Sequence, residues 1–344
     1  MTAAQRAEGA PAAGAGLGAG FGVEEYLEFL GKEYLAGFIR QGGAAVKVVV
    51  AGDDDVAARF HAGLTADAPA EGFVYAAVDA AGTRAHLADQ LFFAVAGQVD
   101  WTALARSAVR AAYDAAAFPV PEPPGDLTVG AVAAFYEVDA RELYRSVRRA
   151  LEQALLREGG LAHEFRLAML RLCQAELGFG EVDVAERDAV LGWLRGERAP
   201  LGLLRRSLIY GRIGRHNAQA MLTSLAGWLA RLGHAGLVLD VDLARLAVGR
   251  RPPIEQREGV YYSKAAVLDA YEVLRQLIDA TDVLSAAMVV VVVPPELLTD
   301  EVRGLPAYSA LQLRVADEVR DRRRPNPYAG LIRLEARLEA VAVR

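Results

Sequence analysis

The chain has one cysteine, Cys173, in 344 residues. That excludes an intrachain disulfide framework and fits a reducing compartment, and the apolar Leu172 beside it marks the thiol as core material and not a nucleophile. Five histidines, His61, His86, His163, His216 and His234, share no ligand spacing. With no HExxH and no cysteine pair, a metal site is not expected. There is no GxSxG elbow and no other nucleophile set beside a base. Long hydrophobic runs are missing too: the driest, Ala286 to Pro295, is too short to cross a bilayer. The opening MTAAQRAEGAPAAGAGLGAG has no continuous apolar region and carries Arg6 and Glu8, so it reads as a disordered Ala/Gly leader over residues 1–20 and not as a secretory signal. A net charge of −6 supplies no general attraction to nucleic acid or to an anionic membrane, so any such contact needs a local patch. The expectation is a soluble, cytoplasmic protein without membrane contact.

What is present is apolar material: hydrophobic residues make up 53% beside 24% charged, the balance of a globular chain with a large core. Its organising stretch is Val46 to Asp55, VKVVVAGDDD, where a nearly continuous apolar strand runs into a glycine turn and then a helix. That is the layout of a phosphate-binding loop. A working loop of this kind reads GxxxxGK[ST] and surrounds phosphate with amides and a lysine. Here Gly52 is followed by Asp53, Asp54 and Asp55. Carboxylates suit the positive end of a helix dipole, but they fill the place of an incoming phosphate. At about 4 Å and an effective dielectric of about 20, each like-charge pair costs roughly 4 kcal/mol before screening. The three aspartates are therefore expected to bond to amides at the helix start and to leave no room for a β-phosphate. Lys47 sits in the strand before the loop, the wrong place for a phosphate ligand.

Taken in order, Val23 to Ile39 spaces Tyr26, Leu27, Leu30, Tyr34, Leu35 and Phe38 as one helix, stopped by Gly42 and Gly43. After the strand from Val46 to Ala51 and a helix from about Asp54 to Ala66, FVYAAVD is a second strand ending in Asp79, which makes a βαβ unit. Helices then dominate, and the proline-rich FPVPEPPGDL breaks them. Three further strands are expected: GLVLDVD, MVVVVVPP and a short one near Leu331 to Leu334. Ser263 is placed to cap a helix running to Ala280. The predicted fold is α/β: a P-loop NTPase, AAA+ like, parallel five-stranded sheet with helices on both faces, an all-α insertion and no C-terminal lid. Its divisions are the leader 1–20, a first core part 21–118, a helical insertion 119–200 and a second core part 201–344.

Several motifs carry possible chemistry. Gly236 to Asp242 resembles a Walker B element, in which an aspartate ending an apolar strand holds magnesium and the next acid activates water. Asp240 fits the first role; Val241 stands in the second, and Asp242 comes one residue late, where alternation aims it differently. Asp at a strand end is also a common structural cap. VVVVVPP offers no polar side chain near its end to sense a γ-phosphate. Arg320, Arg322, Arg323 and Arg324 cluster before the last strand, and Arg205, Arg206, Arg212 and Arg215 with Tyr210 and His216 form a second basic stretch. Either could be a solvated surface, a phosphate contact or, for the first, an arginine finger toward a neighbour's nucleotide.

The segments YLAGFIRQGGAAVKVVV, RIGRHNAQAMLTSLAGWLARLGHAGLVLDVD, YYSKAAVLDAYEVLRQLIDATD and LPAYSALQLRVADEVRDRRRPNP resemble the ATP-binding proteins of BREX and Pgl type bacteriophage-exclusion loci. The resemblance implies an AAA+ like P-loop fold working with other products of a phage-defence locus. It places the Walker A loop on Gly52 to Phe60, where no GKT remains, and the Walker B aspartate on Asp240 with its adjacent glutamate replaced by Val241. It also implies a helical lid beyond the last strand, of which only Glu335 to Arg344 remain. The expected function is a non-catalytic pseudo-ATPase, not an enzyme, with no cofactor. It would be a structural or regulatory subunit of a defence complex, beside an active ATPase paralogue and other defence-locus proteins. Two alternatives stay open: an active ATP-binding or hydrolysing protein with an atypical loop, using ATP and magnesium on Asp240 and Asp242, and a nucleic-acid adaptor making DNA contact through its arginines.

Overall fold

Ala287–Val293 is buried at all of its positions because it runs through the middle of a sheet covered on both faces. The computed structural model describes residues 20–120, 125–157, 159–251, 253, 255, 258–315 and 326–336. Within them the chain opens with β1 (Phe21–Gly22), α1 (Val23–Phe29) and a π-helix (Leu30–Ile39), which lead into β2 (Ala44–Ala51), α2 (Asp54–Ala70) and β3 (Phe73–Asp79). A run of helices follows: α3 (Ala88–Ala96), α4 (Trp101–Ala115), α5 (Val129–Tyr136), α6 (Ala140–Leu156), α7 (His163–Glu176), α8 (Val184–Leu194), α9 (Leu201–Arg206) and α10 (Ala218–Arg231). The remaining elements are β4 (Gly236–Asp242), α11 (Lys264–Asp279), β5 (Ala287–Val293), α12 (Glu296–Thr299), α13 (Ser309–Val315) and β6 (Leu331–Glu335).

The strands form one sheet in the order β1-β6-β2-β5-β4-β3, and every pairing is parallel. The expected sheet of five strands is thus a sheet of six. The extra member, β1, is two residues long and pairs only with Leu334 and Glu335 of β6, so it carries no apolar run that a pattern search could find. Side-chain alternation divides the strands between two cores. Val48, Leu239, Val241, Val289 and Val291 face the larger cluster, which continues through the helices from α3 to α10. Val49, Val238, Met288, Val290 and Val292 face a smaller cluster under α1, the π-helix and α2. Asp240 and Asp242 share the parity of Val238 and therefore look toward α2. Because all strands are parallel, Ala51, Asp79, Asp242 and Val293 end at one edge of the sheet, the edge where open α/β sheets place their ligands.

The helix expected over Val23 to Ile39 changes its winding at Leu30. Bonds such as Arg40 N to Leu35 O (3.3 Å) and Gly43 N to Phe38 O (3.0 Å) span five residues. Residues five apart then share a face: Leu30 and Leu35 are buried with Ile39, while Phe38 is 51% exposed. Ser263 caps α11 as expected, its side chain accepting from Ala266 N at 3.2 Å. Cys173 is free and fully buried on α7, and burial pushes its thiol up to about 12. Among the described residues no helix is long and apolar enough to cross a membrane.

At Ala77 the β3 edge of the sheet is covered by one side chain. Gln98 donates from Nε2 to Ala77 O (2.7 Å) and accepts at Oε1 from Ala77 N (3.0 Å), taking the place of a neighbouring strand. A third bond, Nε2 to Ala94 O at 2.8 Å, fixes the amide to α3. Unpaired edges recruit other chains, and a donor-acceptor pair of this kind blocks that. Gln98→Ala is therefore expected to cost only about 1 kcal/mol in thermal unfolding, since the bonds are exposed, while raising concentration-dependent association in light scattering. Unchanged association would show that the edge is protected by something else.

Candidate functional site

Only Gly52 and Asp53 separate β2 from α2. Gly52 N donates to Leu334 O at 3.0 Å, and a Cβ built on Gly52 would lie 3.2 Å from that same oxygen. The turn thus presses against the end of β6, and its first amide is already bonded there. Asp53 is extended (φ −155°, ψ 178°) and caps the helix, Oδ1 accepting from Val56 N at 2.8 Å. Asp54 and Asp55 are exposed in the first turn, and Asp55 lies 3.9 Å from Arg59, which also pairs with Glu24. Of the three aspartates expected to bond to amides, Asp53 alone has that bond. Only an N-cap side chain is directed back at the N2 and N3 amides; those of the next two positions point away from the axis.

Lys47 turns away from the loop. It is buried, donates to Tyr328 O (2.6 Å) and Ala329 O (2.8 Å), and lies 4.5 Å from the Tyr34 ring centroid, joining the π-helix to the approach of β6.

The chemistry gathers on α2. Phe60, Leu64 and Ala68 form its buried stripe, and His61 and Thr65 lie beside that stripe, one turn apart. His61 Nδ1 is 2.7 Å from Asp240 Oδ2, and the same oxygen accepts from Tyr75 OH on β3 at 2.8 Å. Thr65 Oγ1 lies 3.1 Å from the Tyr75 oxygen, donating to it, and 2.8 Å from His61 O. Asp240 is 1% exposed, so its carboxylate depends on these partners. Asp242 is more open: its Oδ1 accepts from Ala244 N at 2.7 Å and its Oδ2 is 3.7 Å from His61 Nε2. Asp79 stands opposite Asp242 in register and accepts from Ala81 N. His61 Nε2 and Asp240 Oδ1 are buried without a hydrogen-bond partner.

Burial opposes a charged imidazole at His61, but the bond to Asp240 and the charges of Asp240, Asp242 and Asp79 outweigh it and raise its pKa above the ordinary value. Burial also raises Asp242, with Asp79 and Asp240 adding to it against the Ala244 amide and His61. Burial first, and then the neighbouring carboxylate, raise the Tyr75 phenol, which stays protonated and donates. The arrangement can hold a cation of its own making beside a buried carboxylate. Among the described residues no group of three or more His, Cys, Asp or Glu is disposed to hold a metal ion.

The structure thus brings Asp240 and Asp242 together on the face toward α2, where both meet His61, two turns after the Asp53 cap. The last residues of β5, Val291 to Val293, are buried and apolar, with no polar side chain among them. Arg212 and Arg215 are exposed on the segment leading to α10, which packs on the opposite face of the sheet from α2. Arg320, Arg322, Arg323 and Arg324 lie outside the described residues. Sequence reasoning missed His61, Tyr75 and Thr65. His61 is 179 positions from Asp240, and only the strand order brings the two together.

Protonation of His61 has a stability signature. Its folded pKa lies above the unfolded value of about 6.5, so the stability it adds is complete below that pH and is lost as pH rises through the folded value. His61→Gln is expected to destabilise the chain by about 1.5–3 kcal/mol near pH 6, the range for a bond to a charged partner, and by less near pH 8.5. Denaturant unfolding at both pH values checks this; an equal loss at both would remove the ion pair.

Residues 126–342, more than half of the chain, match the family described as BREX system ATP-binding protein BrxC/D. No curated protein and no solved structure matches the chain. The six-stranded, all-parallel α/β sheet is consistent with a P-loop NTPase-like fold. With the sheet, the acidic strand end and the sequence match in agreement, the chain belongs to the BREX system ATP-binding protein BrxC/D family.

Proposed function

We propose that this chain is a pseudo-ATPase: a non-catalytic structural or regulatory subunit of a BREX phage-defence complex, working beside an active ATPase relative. One observation carries the reading. His61 Nδ1 lies 2.7 Å from Oδ2 of Asp240, the aspartate read as the Walker B residue, so an imidazole engages the carboxylate that would hold a magnesium ion. An imidazolium and a divalent cation compete for the same carboxylate charge, and they exclude each other sterically.

The loop supports the same reading. Phosphate recognition needs free amides around an open turn and a lysine that reaches in. Here the Gly52 amide is bonded to Leu334, the Val56 amide to Asp53, and Lys47 to the carbonyls of Tyr328 and Ala329. The residues present do not fit magnesium and ATP, and no hydrolytic step is assigned to them. What remains is a rigid sheet and a helical layer, suited to holding partners. Membership of a BREX family implies association with other products of the same defence locus.

Calorimetric titration with ATP and magnesium is expected to give no saturable heat up to about millimolar nucleotide, a binding energy weaker than about 4 kcal/mol. Micromolar binding would favour an active protein with an atypical loop. Co-expressed with an intact ATPase from its own locus, the chain is expected to co-purify with it and to alter its turnover. Co-purification without any change in turnover limits the role to assembly; failure to co-purify removes this reading.

A further inference from the structure

We infer that the segment Leu201–His216, on the face of the molecule away from α2, is a contact surface for single-stranded nucleic acid. Arg205, Arg212 and Arg215 meet phosphates, and one base stacks on Tyr210.

The first argument is charge. The chain is acidic overall, yet between Glu197 and Asp240 it contains no acidic residue and six arginines. One of them, Arg206, is taken up internally, at 3.1 Å from Asp183 and 3.4 Å from the buried Glu186. Arg205, Arg212 and Arg215 are exposed. Arg84 joins them from the loop after β3: both it and Arg215 depress the imidazole of His86, whose pKa falls chiefly through burial, against the opposing pull of Asp269. The exposed arginines of the segment thus carry positive charge unneutralised within it, and a polyanion is its complement.

The second argument is presentation. Ser207 is fully buried and donates to Glu186 at 2.7 Å; Ile209 and Ile213 are buried; Gly211 O accepts from Trp193 Nε1 at 2.9 Å. Asn217 closes the far end, accepting from Gly214 N at 2.8 Å. Between these anchors Leu208 and Tyr210 are turned outward, at 49% and 73% exposure. Leu208 also adopts φ +60°, at the end of α9, with Ile209 N bonded to Leu204 O and Leu208 N to Arg205 O. That position is normally glycine, and a bulky side chain there is strained. The exposure of the Tyr210 ring is unfavourable in the isolated chain, and a bound partner that covers it offsets that cost.

The third argument selects the partner. Arginines alone would suit any polyanion, but an exposed tyrosine held between arginines matches a backbone-tracking surface with a stacking platform. Such a ring reaches unpaired bases and not those inside a duplex.

The test uses the full chain and a fluorescein-labelled 20-nucleotide oligothymidine, read by anisotropy across a salt series. Binding is expected to weaken with salt at a slope of about −0.7 per phosphate contact. Arg212→Ala with Arg215→Ala should reduce that slope by about 1.4. Tyr210→Ala should weaken binding about 5- to 150-fold at unchanged slope, and Tyr210→Phe should restore it. Lys32→Ala, on the opposite face, should change nothing. These positions are exposed, so the variants are expected to keep the wild-type melting profile. Absent binding at low salt, unaltered binding by both variants, or duplex binding that Tyr210→Ala leaves intact would overturn the inference. Capture of a polyglutamate peptide in place of the oligonucleotide would overturn it too and make the face a docking site for an acidic protein. None of the substitutions touches α2 or β4, so the result is independent of nucleotide binding at Asp240.

Discussion

A carboxylate buried in the middle of a sheet is the constraint around which this molecule is arranged. Asp240 has almost no contact with water, and an uncompensated charge in that position would cost several kcal/mol. His61 from α2 and Tyr75 from β3 both bond to it, so its compensation ties three elements together. The consequence reaches back to the turn. At its start α2 is fixed by the Asp53 cap and by Gly52 against β6; two turns later it is fixed by His61 to β4. The helix is thus held at two points along its length.

The parts of this arrangement that follow from local rules were legible in the sequence. Val289 to Val293 reads as a strand because a parallel strand covered on both faces must be apolar at every position. The glycine turn after Ala51, the Ser263 cap and the buried Cys173 follow from equally local chemistry. The π-helix was not legible, because the apolar spacing of Leu30, Leu35 and Ile39 also fits an ordinary helix. β1 was not legible because two residues carry no period. His61 was hidden for a different reason: nothing near it in sequence marks it, and its role exists only once strand order places β4 beneath α2. A site made of long-range pairs needs topology before it can be read.

Charge shows the same dependence on three dimensions. The net value of −6 decides little, because the molecule separates its charges. The carboxylates of Asp53, Asp54, Asp55, Asp79, Asp240 and Asp242 lie on and near the α2 face, while the arginines of the Leu201–His216 segment lie on the other. An anion approaching the first face meets repulsion within a Debye length of about 8–10 Å; approaching the second, it meets attraction. Average composition conceals this separation.

On the proposed reading, the buried aspartate also explains why loss of one site feature would draw the others with it. In a nucleotide-binding relative the strand carboxylate is compensated by magnesium, which in turn needs the phosphates that the loop supplies. Remove the loop lysine and the metal has no phosphates to bridge; remove the metal and the carboxylate is left buried and uncompensated. Three outcomes then remain: the aspartate is replaced, it is protonated, or the protein supplies a cation of its own. Here His61 Nδ1 and the Tyr75 hydroxyl both meet Asp240, and the raised pKa of His61 favours the third. A side chain that fills this role stabilises the scaffold without any ligand, and it makes rebinding of magnesium unfavourable by the same interaction. On the proposed reading the His61–Asp240 pair stands where the cofactor's charge would be, and it ties α2 to β4 without a ligand.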